Sequence, residues 1–357
     1  MSNNLKKWPI FLISETGLLV LQKKDMKRNI LGRSVKLRPV ASTMSSVYSD
    51  RVGDRCINDI TAGPIRTDVC TTQAEEAPWL ALSFGEENIV SLEKVVIYNR
   101  NDQHGSRTKN VEVRLANELP ESGTEMFSRG ELLGTFAGPG SQGQQIEIIS
   151  PEGWEQKMGI FLIIQMNMGK SKDHLNLNEV FAYGIEAEKL VPTRALMSSV
   201  FTATDNIVFS PDKCINGRRD GLRDDICHTK AEKAPWLAIG FEENRTVSIQ
   251  AVVLFNRNDS TAPWKRTKNV EVRLANMIPP SAEQMFSGGE LLGSFEGPAS
   301  KGQRVAIPSL SGWGQKTGHN LIIQMDMGTA NFLNLIEVVA YGTIQFYPTG
   351  AIKYHFL

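Results

Sequence analysis

Residues 99–117 read Asn99-Arg100-Asn101-Asp102-Gln103-His104-Gly105-Ser106-Arg107-Thr108-Lys109-Asn110-Val111-Glu112-Val113-Arg114-Leu115-Ala116-Asn117. The same pattern returns as Asn256-Arg257-Asn258-Asp259, then a longer loop through Trp264 and Lys265, then Arg266-Thr267-Lys268-Asn269-Val270-Glu271-Val272-Arg273-Leu274-Ala275-Asn276. In Val111-Glu112-Val113-Arg114-Leu115 apolar and charged residues alternate with period two, the pattern of a strand with one buried face. A second strand, Val95-Val96-Ile97-Tyr98, leads into the corner; its unbroken run of β-formers suits burial on both faces. Each copy is therefore strand, polar corner, strand, with two basic residues and an aspartate at the corner.

Working outward, landmarks pair along the whole chain. Cys56-Ile57-Asn58 recurs as Cys214-Ile215-Asn216, 214 − 56 = 158 positions later. Ala77-Pro78-Trp79-Leu80-Ala81 matches Ala234-Pro235-Trp236-Leu237-Ala238, and Gly153-Trp154 matches Gly312-Trp313. Glu179-Val180-Phe181-Ala182-Tyr183-Gly184 matches Glu337-Val338-Val339-Ala340-Tyr341-Gly342. A period this long means duplicated domains, not a solenoid. The boundaries read as an amino-terminal extension over 1–28, modules over 29–187 and 188–345, and a tail over 346–357. Short strands, turn clusters such as Gly138-Pro139-Gly140-Ser141, and no long amphipathic helix predict an all-β chain. Its expected architecture is two tandem antiparallel β-sandwiches of jelly-roll type. The short linker near Glu188 to Thr193 predicts that the modules sit close together.

The bulk numbers exclude several function classes. With 39 basic and 39 acidic residues among 357, formal net charge is zero, which removes a whole-chain electrostatic case for nucleic acid. No apolar run approaches the roughly 20 residues of a spanning helix. No nucleophile elbow, His-Glu-x-x-His, phosphate loop or dinucleotide fingerprint occurs, so an enzyme is not expected. His174, His319 and His355 have no evident chemical partners in sequence and read as structural. The four cysteines fall as Cys56 with Cys70 and Cys214 with Cys227, which predicts one local disulfide per module and an oxidising compartment; four reduced buried thiols are the alternative. Lys6 and Lys7 precede the apolar Trp8-Pro9-Ile10-Phe11-Leu12-Ile13, which reads as a degraded secretory signal or a basic extension.

At the corner itself two readings stand side by side. Asp102 can pair with Arg100 or Arg107 merely to stiffen the turn. Alternatively, the guanidinium forks face a ligand rich in hydroxyl or ring oxygens, with the aspartate holding them in place.

These motifs together resemble tandem F-type lectin (fucolectin) domains, within the discoidin or coagulation-factor type C sandwich family. The resembling features are the Cys-x-Thr element, the Pro-Trp strand, the Asn-Arg-x-Asp corner and the closing Glu-Val-x-x-Tyr-Gly. The family motif is a histidine, then Arg-x-Asp, then Arg or Lys after four residues; the resemblance implies that the histidine and the two basic residues bind L-fucose. Carried over, the second module keeps His228, Arg257 and Asp259. Its second basic residue is Lys265 or Arg266, and Trp264 is expected to pack on the sugar. The first module keeps Arg100, Asp102 and Arg107 but has Thr71 where the histidine belongs, with His104 as a candidate substitute. The adjacent cysteines often found in this loop are absent from both copies. The resemblance also implies one structural calcium ion per module. Its candidate ligands are Asn58, Asp59, Asp68 and Glu179 in the first module, and Asn216, Asp225 and Glu337 in the second. The implied protein is a secreted, extracellular lectin for fucosylated glycans or glycoproteins. Tandem modules would add avidity, and self-association is left open. The alternative is a non-enzymatic adhesion or recognition protein of the same fold with degenerate sugar sites.

Overall fold

The computed structural model describes residues 34–345, except 86, 120–129, 222, 243–244, 259–261, 279–287, 310–315 and 326–327. The expected amino-terminal extension, the tail, Asp259 and Trp313 therefore lie outside the described residues.

The first half contributes β1 (Val35–Leu37), β2 (Ala41–Met44), β3 (Cys70–Thr71), β4 (Trp79–Ser83) and β5 (Val90–Asn99). It continues with β6 (Val111–Ala116), β7 (Glu131–Phe136), β8 (Gln145–Ile149), β9 (Phe161–Met166) and β10 (Asn176–Glu186). The second half repeats them from the second strand on: β11 (Arg194–Met197), β12 (Cys227–His228), β13 (Trp236–Gly240), β14 (Thr246–Phe255) and β15 (Val270–Ala275). Then come β16 (Glu290–Phe295), β17 (Arg304–Pro308), β18 (Asn320–Met325), β19 (Asn334–Leu335) and β20 (Glu337–Gln345). Among the described residues the helical pieces are one four-residue turn, Ile65–Asp68, and short 3-10 turns.

Each half is a two-sheet antiparallel sandwich. In the first, β1-β10-β5-β8, with β3 also on β10, faces β2-β4-β9-β6-β7; in the second, β17-β14-β20 and the pair β12-β19 face β11-β13-β18-β15-β16. Alternation places Val111, Val113 and Leu115 in the first core with Leu80, Leu82, Ile97, Leu162 and Ile164. Glu112 and Arg114 on the other face pair at 3.1 Å. The second core repeats this with Val270, Val272 and Leu274. The closing glycines are required sterically, because β10 and β20 step past β5 and β14 at a register shift there. A Cβ on Gly184 would collide with the Ser91 carbonyl, and one on Gly342 with that of Ser248. Disulfides join Cys56 to Cys70 and Cys214 to Cys227, with Cα separations of 5.6 and 5.3 Å.

The sandwiches are docked, as the short linker implies. Ile89, Met158 and Ile160 of the first pack with Ala251, Val253, Val339 and Tyr341 of the second in one buried cluster. The Tyr341 hydroxyl donates to the Glu87 carbonyl at 2.7 Å, and the Glu87 carboxylate pairs with Lys189 and Arg219 at 3.2 and 3.1 Å. These neighbours hold the Glu87 carboxyl below its usual range, the Lys189 hydrogen bond first. The outward face of β14 is therefore apolar because the first sandwich covers it. On the first sandwich the corresponding face carries Lys36 over Phe181 and Lys94 over Tyr183.

Candidate functional site

Both corners hang from a buried asparagine. Asn99 sits at the end of β5 and is fully enclosed. Its Nδ2 donates to the carbonyls of Gly105 and Ser141 at 2.8 and 2.7 Å, and its Oδ1 accepts from the Thr108 hydroxyl and the Arg100 amide at 2.7 and 2.9 Å. Asn256 does the same with Trp264 and Ser300 carbonyls at 2.9 and 2.8 Å and the Thr267 hydroxyl at 2.8 Å. One amide thus fixes both ends of the loop that displays the basic residues. Sequence reading centred on the charged residues passed over these hubs, although Asn and Thr stand at matching places in both copies.

In the first corner Asp102 pairs with Arg100. The Arg100 Nε and Nη2 reach the two carboxylate oxygens, the second at 2.6 Å, and the His104 amide donates to the same carboxylate at 3.2 Å. The Arg100 guanidinium beside Asp102 holds its carboxyl below the usual carboxylate range. Arg100 is 3% exposed, so this bidentate pair is built into the wall of the corner. Arg107 turns elsewhere, with its Nε 3.6 Å from Asp173, which also takes Lys109 at 3.2 Å. Asp173 was not among the expected residues, because it lies far along the chain, just before β10. His104 contributes its backbone amide. Thr71 is buried on β3, and its hydroxyl has no hydrogen-bond partner.

The second corner brings His228 and Arg266 together. His228 Nδ1 lies 2.6 Å from the Thr229 carbonyl. A carbonyl only accepts, so Nδ1 carries the proton and Nε2 presents a lone pair. That lone pair faces Nη1 of Arg266 at 3.4 Å. Burial, with lesser contributions from Arg257 and Arg266, pushes the imidazole down to about 4, keeping it neutral. Phe201, Phe209 and Phe332 surround the ring at 5.0, 5.8 and 5.2 Å between centroids, and the Arg266 guanidinium stacks 4.3 Å over Phe332. Of the two basic candidates, Arg266 reaches the histidine, while the Lys265 ammonium lies 5.1 Å over the Trp264 ring. Trp264 and Arg257 are half-buried at the same corner.

The residues expected to hold calcium take different partners in the two halves. Asp59 faces Lys36 and Arg38, and Asp68 accepts from the Thr67 hydroxyl at 2.7 Å. Glu179 is buried and accepts amides of Ile60 and Val180 at 3.1 Å each, and Asn58 Oδ1 accepts the same Ile60 amide at 2.9 Å. Burial pushes Glu179 up to about 7. Beside it, buried Asn178 donates to the Gly63 carbonyl at 3.3 Å and leaves its Oδ1 without a partner. In the second half Asp225 is held by Arg218 at 3.1 Å, Asn216 accepts the Arg218 amide at 2.8 Å, and the Lys213 ammonium donates to the Asp224 carbonyl. Glu337, also pushed up to about 7 by burial, accepts the Gly217 amide at 3.1 Å, and Ile336 stands where the first half has Asn178. Among the described residues no three His, Cys, Asp or Glu side chains converge.

No protein-family model matches the chain. No curated protein matches it either. Among solved structures it is similar to the F-lectin (fucolectin) from striped bass serum, at 19% identity and a TM-score of 0.38, over 85% of this chain and 96% of that one. It is also similar to a Streptococcus pneumoniae fucose-binding module, at 19% and 0.34, over 43% of this chain and 96% of the module. A third similar structure is the allantoicase of Saccharomyces cerevisiae, at 12% and 0.32, over 91% and 99%. At these identities and TM-scores the likenesses carry no argument about function, which rests on the side chains of the two corners.

Proposed function

We propose that this chain is a carbohydrate-binding lectin that takes terminal fucose on glycans and performs no chemistry on it. The observation that carries the reading is the second corner, where a neutral imidazole acceptor and a guanidinium donor lie side by side. Sugar hydroxyls donate and accept together, so one hydroxyl entering between the two groups would replace their 3.4 Å contact, donating to Nε2 and accepting from Arg266. Arg257 adds further donors at the same corner, and the half-buried Trp264 offers an apolar face for a pyranose ring. The first corner presents the same scaffold with a different set of side chains, and two modest sites on one docked body would add avidity. The two disulfides suit a secreted, extracellular protein.

Calcium fits one half better than the other. In the first, Glu179, Asn58 and the partnerless Asn178 Oδ1 would hold the ion together with backbone oxygens, and its charge would brace the loop that the disulfide closes. In the second, Arg218 already neutralises Asp225 and Ile336 supplies no side-chain oxygen where the first half has Asn178, so the residues present do not suit the ion.

The test is a glycan array on the full chain, with and without chelator. Retention of fucosylated glycans over their defucosylated counterparts is the expected result. Equal signal on both would remove the fucose reading, and hydrolysis of the printed glycans would replace binding by catalysis.

A further inference from the structure

His174, set aside above as structural, lies where a site imidazole would be needed. Strand register fixes the equivalences: Thr71 pairs with Asn176 as His228 pairs with Asn334. Thr72 and Thr229 then correspond, and each hydroxyl accepts the amide of Leu175 or Leu333 at 3.0 Å. His174 is thus the counterpart of Phe332. The two halves carry Thr71 with His174 and His228 with Phe332: the imidazole has changed sides of the same strand pair.

It has kept its carbonyl anchor and one aromatic neighbour. His174 Nδ1 lies 2.8 Å from the Thr72 carbonyl, the counterpart of the Thr229 carbonyl that holds His228 at 2.6 Å. His174 packs edge-on against Tyr48 at 5.6 Å, and His228 packs on Phe201 at 5.0 Å. Tyr48 and Phe201 are counterparts, since their amides donate to the Thr71 and His228 carbonyls at 2.8 and 2.9 Å. In the neutral ring this shared anchor makes Nε2 of His174 the acceptor, as in His228. The adjacent Asp173 gathers Arg107 and Lys109 beside it. We propose that His174, and not His104, is the imidazole of a sugar-hydroxyl site in the first sandwich, with Arg107 as its donor.

This inference rests on the lectin reading, so its test is arranged to separate the two. Fucose is titrated by calorimetry into the full chain carrying Arg266→Ala, which weakens the second corner so that the first dominates the heat. Adding His174→Ala should weaken the remaining binding by about tenfold or more, the effect of one lost ligand hydrogen bond, while adding His104→Ala should leave it within about twofold. Adding Thr71→His with His174→Phe instead, which rebuilds the arrangement of the second half, should restore it. That restoration separates a binding role from a folding defect. Unchanged binding in the His174→Ala chain, or a loss on His104→Ala alone, would overturn the inference and leave the lectin reading intact. If the unsubstituted chain binds no fucose, both fall together.

Discussion

At the residue scale, two buried glutamates and one buried histidine set opposite pH dependences. Glu179 and Glu337 are pushed up to about 7 by burial, from ordinary values of 4.5. The folded chain therefore holds their protons more tightly than the unfolded one. Their contribution is fully present below about 4.5 and is lost as pH rises through about 7. His228 runs the other way: held down to about 4, it contributes stability above its ordinary 6.5 that is lost as pH falls through about 4. Because the windows overlap, a substitution isolates one group better than the whole titration does. In chelator, the melting temperature of Glu179→Gln relative to the unsubstituted chain should rise between about pH 5 and pH 8; a pH-independent difference would contradict the burial of that carboxyl. Adding calcium at the higher pH should stabilise the unsubstituted chain and not the Gln variant. Glu337→Gln should leave that calcium response in place, since the ion is assigned to the first half.

At the element scale, the corner is a loop tied at both ends by one amide. Asn99→Ala removes the anchor of the Gly105 and Ser141 carbonyls and strands the Thr108 hydroxyl, all buried or partly buried. Leaving such groups unpaired costs about 1–3 kcal/mol, so denaturant unfolding of this variant should show a loss of that order. Asn256→Ala should match it. A loss confined to sugar affinity, with unfolding unchanged, would mean the asparagines touch ligand instead. Alternation in Val111–Leu115 fixed which side chains enter the core, and the doubled cysteines predicted the two disulfides. Arg100, Arg257 and Arg266 could be nominated because they cluster at the repeated corner of the sequence, and His228 because of the family resemblance. Asp173 and His174 could not, because they reach the first corner across the β3–β10 pairing, some seventy residues beyond it. The choice between Lys265 and Arg266 waited on the fold, which brings Arg266 to 3.4 Å from His228 and lays Lys265 over Trp264.

At the scale of the whole molecule, the two copies differ where they meet. Ile89, Met158 and Ile160 form the docking end of the first sandwich, and their counterparts in the second are Thr246, Thr317 and His319. That asymmetry is visible in the sequence only once the interface is known, since isolated apolar residues near strand ends are ordinary. Ile160→Ala should destabilise the full chain by about 2–5 kcal/mol through the cavity it opens. His319→Ala, at the corresponding place, should cost less than about 1.5 kcal/mol, the value of the hydrogen bond between its ring and the Arg245 carbonyl. Equal losses would mean that the two ends do equivalent work. Docking also holds the two corners on one body, which is the physical basis for avidity from sites that are individually weak.

The central claim is that the imidazole and guanidinium of the second corner bind a sugar. Calorimetric titration of the full chain with fucose addresses it most directly, comparing the unsubstituted protein with Arg266→Ala and Lys265→Ala. Saturable binding is expected in the unsubstituted chain. The Arg266→Ala chain should weaken its stronger phase by ten- to a hundredfold, about 1–3 kcal/mol, and Lys265→Ala should change it by less than about threefold. No heat of binding to the unsubstituted chain, or equal affinity in the Arg266→Ala chain, would contradict the account.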